Sequence, residues 1–183
     1  DGLFRTNVPH YEEVVVRELL ANALVHRPYT QGGSIYINLH PDRMEIHNPG
    51  LLPLGVTPSN ILHTTLRRNE HLARVFHDLR LMEREGSGYD RIFETLLMTG
   101  RKPPVVREGD DRVAVTIFKR VLNPAIIDFV GKADQLFQMS QKERICLGLL
   151  AQHASLTAIE LCKELELNRS DELRHWLGRL VEW

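Results

Sequence analysis

The hydrophobic pattern of the chain falls into blocks with different periods. Nine of the twelve residues from Val14 to Val25 are apolar, which predicts a helix over 11–26, opened by Pro9 and buried nearly all round. A loop at 28–33 contains Gly32-Gly33. Two short alternating runs follow at 34–39 and 43–47, with Ile35, Ile37 and Leu39 on one face of the first and Met44 and Ile46 on one face of the second. Separated by His40-Pro41-Asp42, they predict a β-hairpin. Asn48-Pro49-Gly50 ends the second run, and 51–68 keeps no firm period, as expected of a long, partly structured connection able to move.

Asn69 then stands as the cap of a helix with Leu72, Ala73, Phe76 and Leu79 on one side. Glu85-Gly86-Ser87-Gly88 leads into a second helical pattern (Ile92, Phe93, Leu96, Leu97) that stops at Gly100. Runs at 105–108 and 112–118, joined through Gly109-Asp110-Asp111, predict another hairpin. Residues 1–120 therefore read as one α+β sandwich of helix, hairpin, two helices and hairpin. A connector over 121–139 mixes polarity and holds a proline and a glycine. Beyond it, Ser140-Gln141-Lys142-Glu143 and Thr157-Ala158-Ile159-Glu160 are capping boxes. They predict three helices, about 140–152, 157–165 and 169–183, spaced as in a helix-turn-helix, so 140–183 reads as the start of a winged-helix domain.

Composition narrows the classes. With 43% hydrophobic and 26% charged residues, the chain is an ordinary globular protein rather than a disordered or fibrous one. No apolar run is long enough to span a bilayer, and no membrane partner is expected. Two cysteines in helical patterns, Cys146 and Cys162, do not suggest a disulfide framework or a thiolate metal site, which fits a reducing, cytoplasmic setting. The chain opens Asp1-Gly2-Leu3 and stops within an amphipathic pattern, and is expected to be a piece of a longer protein. A formal charge of -1 provides no global basic field, so any DNA contact must be local.

Within the first helix Glu18, Asn22 and His26 recur every four residues and share one face. A carboxylate and an amide in an apolar helix need a polar counterpart, either a ligand or simply a neighbouring Arg or backbone group. The glycines of Glu85-Gly86-Ser87-Gly88-Tyr89 sit at a helix start, where free amides attract anions; the motif is a phosphate cradle or an ordinary turn. Asn48 would meet a base edge or form an Asx turn. Nine histidines are present without a His-x-His or His-x-x-x-His pair, which argues against a histidine metal site. Ser87 lacks the glycine two positions away on each side that a nucleophile elbow has.

In order and spacing these three motifs resemble the GHKL nucleotide-binding family of gyrase, Hsp90, histidine kinases and MutL. Glu18-xxx-Asn22-xxx-His26 is similar to its N box, Asn48-Pro49-Gly50 stands where its adenine-binding Asp-x-Gly box does, Gly86-Ser87-Gly88 resembles its later glycine box, and 51–68 falls where it keeps an ATP lid. A narrower resemblance, over about 11–119, is to the carboxy-terminal part of RecG-related helicases and Schlafen/AlbA-type transcriptional regulators. It rests on Arg17-Glu18-xxx-Asn22-Ala23-xx-His26-Arg27-x-Tyr29, Ile46-x-Asn48-Pro49-Gly50-x-Leu52-Pro53, Arg68-Asn69 and Glu85-Gly86-x-Gly88. The resemblance implies ATP and Mg²⁺ as cofactors, with Glu18 orienting the attacking water, Asn22 holding Mg²⁺, His26 in the N box beside them, Gly86, Ser87 and Gly88 around phosphate, and Asn48 with Gly50 at adenine. Asn48 replaces an Asp and the second glycine after Pro49-Gly50 is missing, which weakens the adenine contact.

In the last segment Arg169, Arg174 and His175 are the candidate DNA contacts, yet 140–183 holds six basic and seven acidic residues, a balance that equally suits a packing or dimerisation module with a second copy as partner. Three functions stay open: a DNA-associated regulator with a nucleotide-binding domain, an ATP-hydrolysing enzyme acting on DNA, and a dimerisation scaffold with an inactive pocket. Helicase activity is not expected, because a RecG-type motor needs a G-x-x-x-x-G-K-[ST] loop and the sequence has none.

Overall fold

The computed structural model describes residues 9–82, 88–122, 124–153, 155–167 and 170–181. Among them are seven α-helices and a single four-stranded antiparallel sheet, an α+β arrangement. Both anticipated hairpins form: β1 (Tyr36–Leu39) with β2 (Arg43–Pro49), and β3 (Val105–Glu108) with β4 (Arg112–Phe118). The strand order β1-β2-β4-β3 makes β2 and β4 the central pair.

β2 runs two residues beyond its expected end at His47, because Asn48 and Pro49 still face Val113 and Arg112 of β4. Met44, Ile46 and Asn48 thus share one face of β2, opposite Ile117, Val115 and Val113. β1 departs from the expected pattern. Ile35 packs on the core, but Ile37 is 50% and Leu39 71% exposed, because α1 lies over β2 and leaves this edge strand uncovered.

The inner face of the sheet is covered by α1 (Glu13–His26) and α3 (Gly88–Met98), whose Val15, Leu19, Ala23, Ile92 and Leu96 pack on Met44, Ile46 and Ile117. Opposite this layer, Phe93 and Leu97 of α3 belong to a second core. That core is built with α5 (Gln141–Gln152), α6 (Ala158–Glu164) and α7 (Ser170–Leu177), which ends in a 3-10 turn at Gly178–Val181. At the α3–α5 crossing Gly148 lets the backbones approach, since a Cβ there would stand 2.7 Å from Leu97 Cβ. Ser140 and Thr157 accept from the amides of Glu143 and Glu160, and those glutamates return the bond, so both capping boxes exist as read.

Two expectations are corrected. The connector contains a helix, α4 (Pro124–Phe137), for Pro124 occupies its first position, where no amide is required, and Ile126 and Val130 are buried. Arg144 of α5 ties α4 to α3 by contacting Glu94 at 2.5 Å and Asp134 at 3.3 Å. Asn69 precedes α2 (Glu70–Asp78) but its side chain caps nothing there. Its amide instead donates to the Val25 and Arg27 carbonyls, both at 2.7 Å, closing the carboxy-terminal end of α1. No helix among the described residues is long and apolar enough to cross a membrane.

Candidate functional site

A cavity of about 140 Å³ lies between α1, the inner face of the sheet, the start of α3 and the 51–68 segment. Glu18, Asn22 and His26 line it from α1, Asn48 and Gly50 from the end of β2, and Gly88 from α3. Three separate sequence motifs therefore converge on one space. Gly86 and Ser87 lie outside the described residues, as does Arg169. Arg174 and His175 are exposed on α7, because Leu173 and Trp176 turn the other side of that helix into the second core. They form no part of the cavity's wall.

Each wall residue has a local reason for its position. Glu18 is 4% exposed and packs against the first residue of α3, where a Cβ on Gly88 would overlap its carboxylate and stand 2.8 Å from the carboxyl carbon. A carboxylate at a helix amino terminus is favoured by the free amides and the dipole there. Asn48 reaches the cavity because strand alternation puts it on the face of Met44 and Ile46. Its Oδ1 is buried and has no hydrogen-bond partner among the described residues, an acceptor whose desolvation none of them offsets. Gly50 has φ +82° and donates to the Asp111 carbonyl at 2.8 Å. A side chain there would strike Pro28, so this glycine serves the turn first.

Burial, with Arg68 and Arg67 nearby, pulls His26 down to about 4, so the ring is neutral at physiological pH. Arg67 lines the cavity, and Arg68 donates to the Leu51 carbonyl at 2.6 Å, closing the base of the 51–68 segment. The electrostatics at this end suit an anion. Elsewhere the walls are apolar: Leu19, Ala23, Val56, Ile61, Val113 and Val115. Among the described residues no group of three His, Cys, Asp or Glu side chains could hold a metal ion. A cation here would lean on Asn22, on Glu18 and on the ligand's own oxygens.

Sequence reasoning missed four contributors. Val113 and Val115 enter through the β2–β4 pairing, a tertiary contact that no local pattern encodes. Tyr89, next to Gly88, touches both cores, and burial raises its hydroxyl far above the ordinary range. Arg67 was passed over inside an aperiodic stretch.

Comparison with known proteins adds a family and a relative. No curated protein matches this chain. A crystal structure of the DIP2311 protein from Corynebacterium diphtheriae is similar, with a TM-score of 0.80 and 25% identity over 97% of this chain and 37% of that one. The chain thus spans little more than a third of that relative's length. Residues 32–117 match the family described as "Putative ATP-dependent DNA helicase recG C-terminal", a match that takes in β1 to β4 and leaves α1 and the C-terminal helices outside it. The match points to a RecG-related, ATPase-like domain over these residues and, with it, to nucleotide binding.

Proposed function

We propose that this chain is the nucleotide-sensing part of a DNA-associated transcriptional regulator, with a GHKL-like pocket in the sandwich and a winged-helix module begun by α5 to α7. The observation that carries the reading is the convergence of Glu18, Asn22, His26, Asn48 and Gly88 on one cavity. An adenine amino group would supply the donor that the buried Asn48 Oδ1 lacks. The amino terminus of α3 and the neighbouring arginines favour the phosphates. Bound Mg²⁺ would neutralise phosphate charge, with Asn22 as its protein ligand. Glu18 would orient the attacking water on the same side and accept its proton, and Leu19, Ala23 and Val115 would keep bulk water from the base.

Calorimetry with ATP and Mg²⁺ tests this directly. Micromolar binding that falls by about tenfold or more in Asn22→Ala and in Asn48→Ala is the expected result, about 1.4 kcal/mol for each tenfold. No heat of binding at millimolar ATP would reject the pocket. For the DNA half, Arg174 and His175 offer exposed contacts on α7. Gel shifts with the whole protein at two salt concentrations should show salt-sensitive binding that weakens in Arg174→Ala; its absence rejects this half alone.

One observation favours a second reading, a scaffold without hydrolysis. Glu18 is seated against Gly88, a contact that anchors α3 whether or not a water is ever activated. Phosphate release unchanged in Glu18→Ala would support the scaffold over the ATPase.

A further inference from the structure

The 51–68 segment has two attachments that the pocket reading does not use. Its base is fixed to the sandwich: Leu52 N–H donates to Glu108 Oε1 at 2.6 Å, and Arg68 bridges back to Leu51. Its middle is fixed to the C-terminal helices instead. There a 3-10 turn, Ile61–His63, sets neighbouring residues to opposite tasks. Ile61 lines the cavity, whereas Leu62, 5% exposed, is part of the second core.

The turn is held on that side by three polar and ring contacts. Leu62 N–H donates to Glu166 Oε2 at 3.0 Å, and His63 Nε2 donates to the Leu165 carbonyl at 2.7 Å. The His63 ring also meets Trp176 edge-on at 5.5 Å. Burial raises the Glu166 carboxyl above its ordinary range, while the Leu62 amide and His63 pull it down. A desolvated acceptor of this kind is costly to leave without its donor.

Space makes these attachments consequential. The cavity, about 140 Å³ with the segment in this position, is well below the roughly 300–1,000 Å³ of clefts that enclose a drug-sized ligand. A nucleotide-sized ligand needs more room than this, and among the walls Ile61 belongs to the turn that the C-terminal helices hold. The turn is only three residues long and is closed by Thr64 N–H on the Ile61 carbonyl, so Ile61 cannot move far without Leu62 and His63.

We propose that residues 51–68 form a latch coupling the pocket to the C-terminal helices, such that opening the pocket withdraws Leu62 and His63 from Leu165, Glu166 and Trp176. The ligand part of this inference rests on the pocket reading above; the mechanical coupling does not. By linkage, anything that binds the C-terminal helices and disturbs their contact with the turn alters ligand affinity by the same factor that the ligand alters its own.

Hydrogen exchange on the whole chain separates the two. Without ligand, His63→Ala and Glu166→Ala should each raise exchange by about tenfold both in 57–66 and in α6–α7. Glu166→Gln, which keeps an oxygen for the Leu62 amide, should restore exchange most of the way to the parent value. Faster exchange in 57–66 alone overturns the latch, as does no change in either segment. With ATP and Mg²⁺ added, the parent chain should lose protection in α6–α7, and His63→Ala should bind the nucleotide more tightly. Nucleotide binding with α6–α7 unaltered overturns the coupling. Coupled exchange without ligand, in chains that bind no ATP, supports the latch and overturns the nucleotide reading instead.

Discussion

Two buried glutamates illustrate how differently the two cores treat a charge. Glu143, 5% exposed, lies beside the C-terminal core, where its carboxylate accepts the Ser140 amide at 2.7 Å as half of a capping box. Glu18, 4% exposed, lies in the sandwich core and borders a cavity together with an amide, an imidazole and an unpartnered Asn48 oxygen. Both acids lie at a helix amino terminus, Glu143 in α5 and Glu18 against Gly88 of α3, but only Glu18 shares its surroundings with polar groups that α1, β2 and the 51–68 segment gather around a space. Polar residues on a buried face are informative when several elements bring them together, and much less so when one local motif accounts for them.

The cores nevertheless meet on a single helix. Ile92 and Leu96 of α3 belong to the sandwich, and Phe93 and Leu97 to the C-terminal helices. The largest expected effect follows from that sharing. Leu97→Ala opens a void against Gly148 and should cost about 3 kcal/mol. Because α3 supports both cores, urea unfolding followed by circular dichroism should remain one transition with a lower midpoint. A split into two transitions, with only one displaced, would show that the cores fold independently and would break the comparison.

Acid distinguishes them next. His26 has a folded pKa of about 4 against an ordinary value of 6.5, a depression caused first by burial and then by Arg68 and Arg67. The fold therefore favours the neutral ring. Its contribution is intact above about pH 6.5 and is lost as pH falls through about 4, an expected loss of about 2–3 kcal/mol. In His26→Gln this part of the acid sensitivity should disappear. Urea midpoints between pH 7.5 and 4 measure this, and equal profiles for parent and His26→Gln would refute the assignment.

Much of this arrangement was legible in the residues themselves. The capping boxes at Ser140 and Thr157 and the 105–118 hairpin are local devices, and they stand where the pattern puts them. The polar face of α1 was legible because Glu18 and Asn22 interrupt an apolar run at helical spacing. Asn48 was half legible: alternation from Met44 and Ile46 assigns it to the inner face, but only pairing with Val113 carries the strand far enough to matter. The latch was invisible, since Leu62 and His63 sit in a segment without period and find their partners about a hundred residues away. α4 was obscured by Pro124 and Gly131, which read as breakers, although a first-turn proline costs a helix little.

Asn69 marks the limit of local reasoning, and it yields the smallest of these effects and the sharpest sign. Before a helix, Asn and Asp are near-equal caps, and the negative charge of Asp even suits the helix dipole. If Asn69 were a cap, Asn69→Asp would be neutral or slightly stabilising. The structure has its amide donating to the carbonyls of Val25 and Arg27, and a carboxylate has no hydrogen to donate. Asn69→Asp should therefore lose about 1–2 kcal/mol by leaving two carbonyls facing an anion, and exchange at the adjoining end of 51–68 should rise with it. Asn69→Ser, a good cap with a short reach, should be nearly as damaging. Stability unchanged in both variants would return Asn69 to the cap and detach the base of the latch from α1.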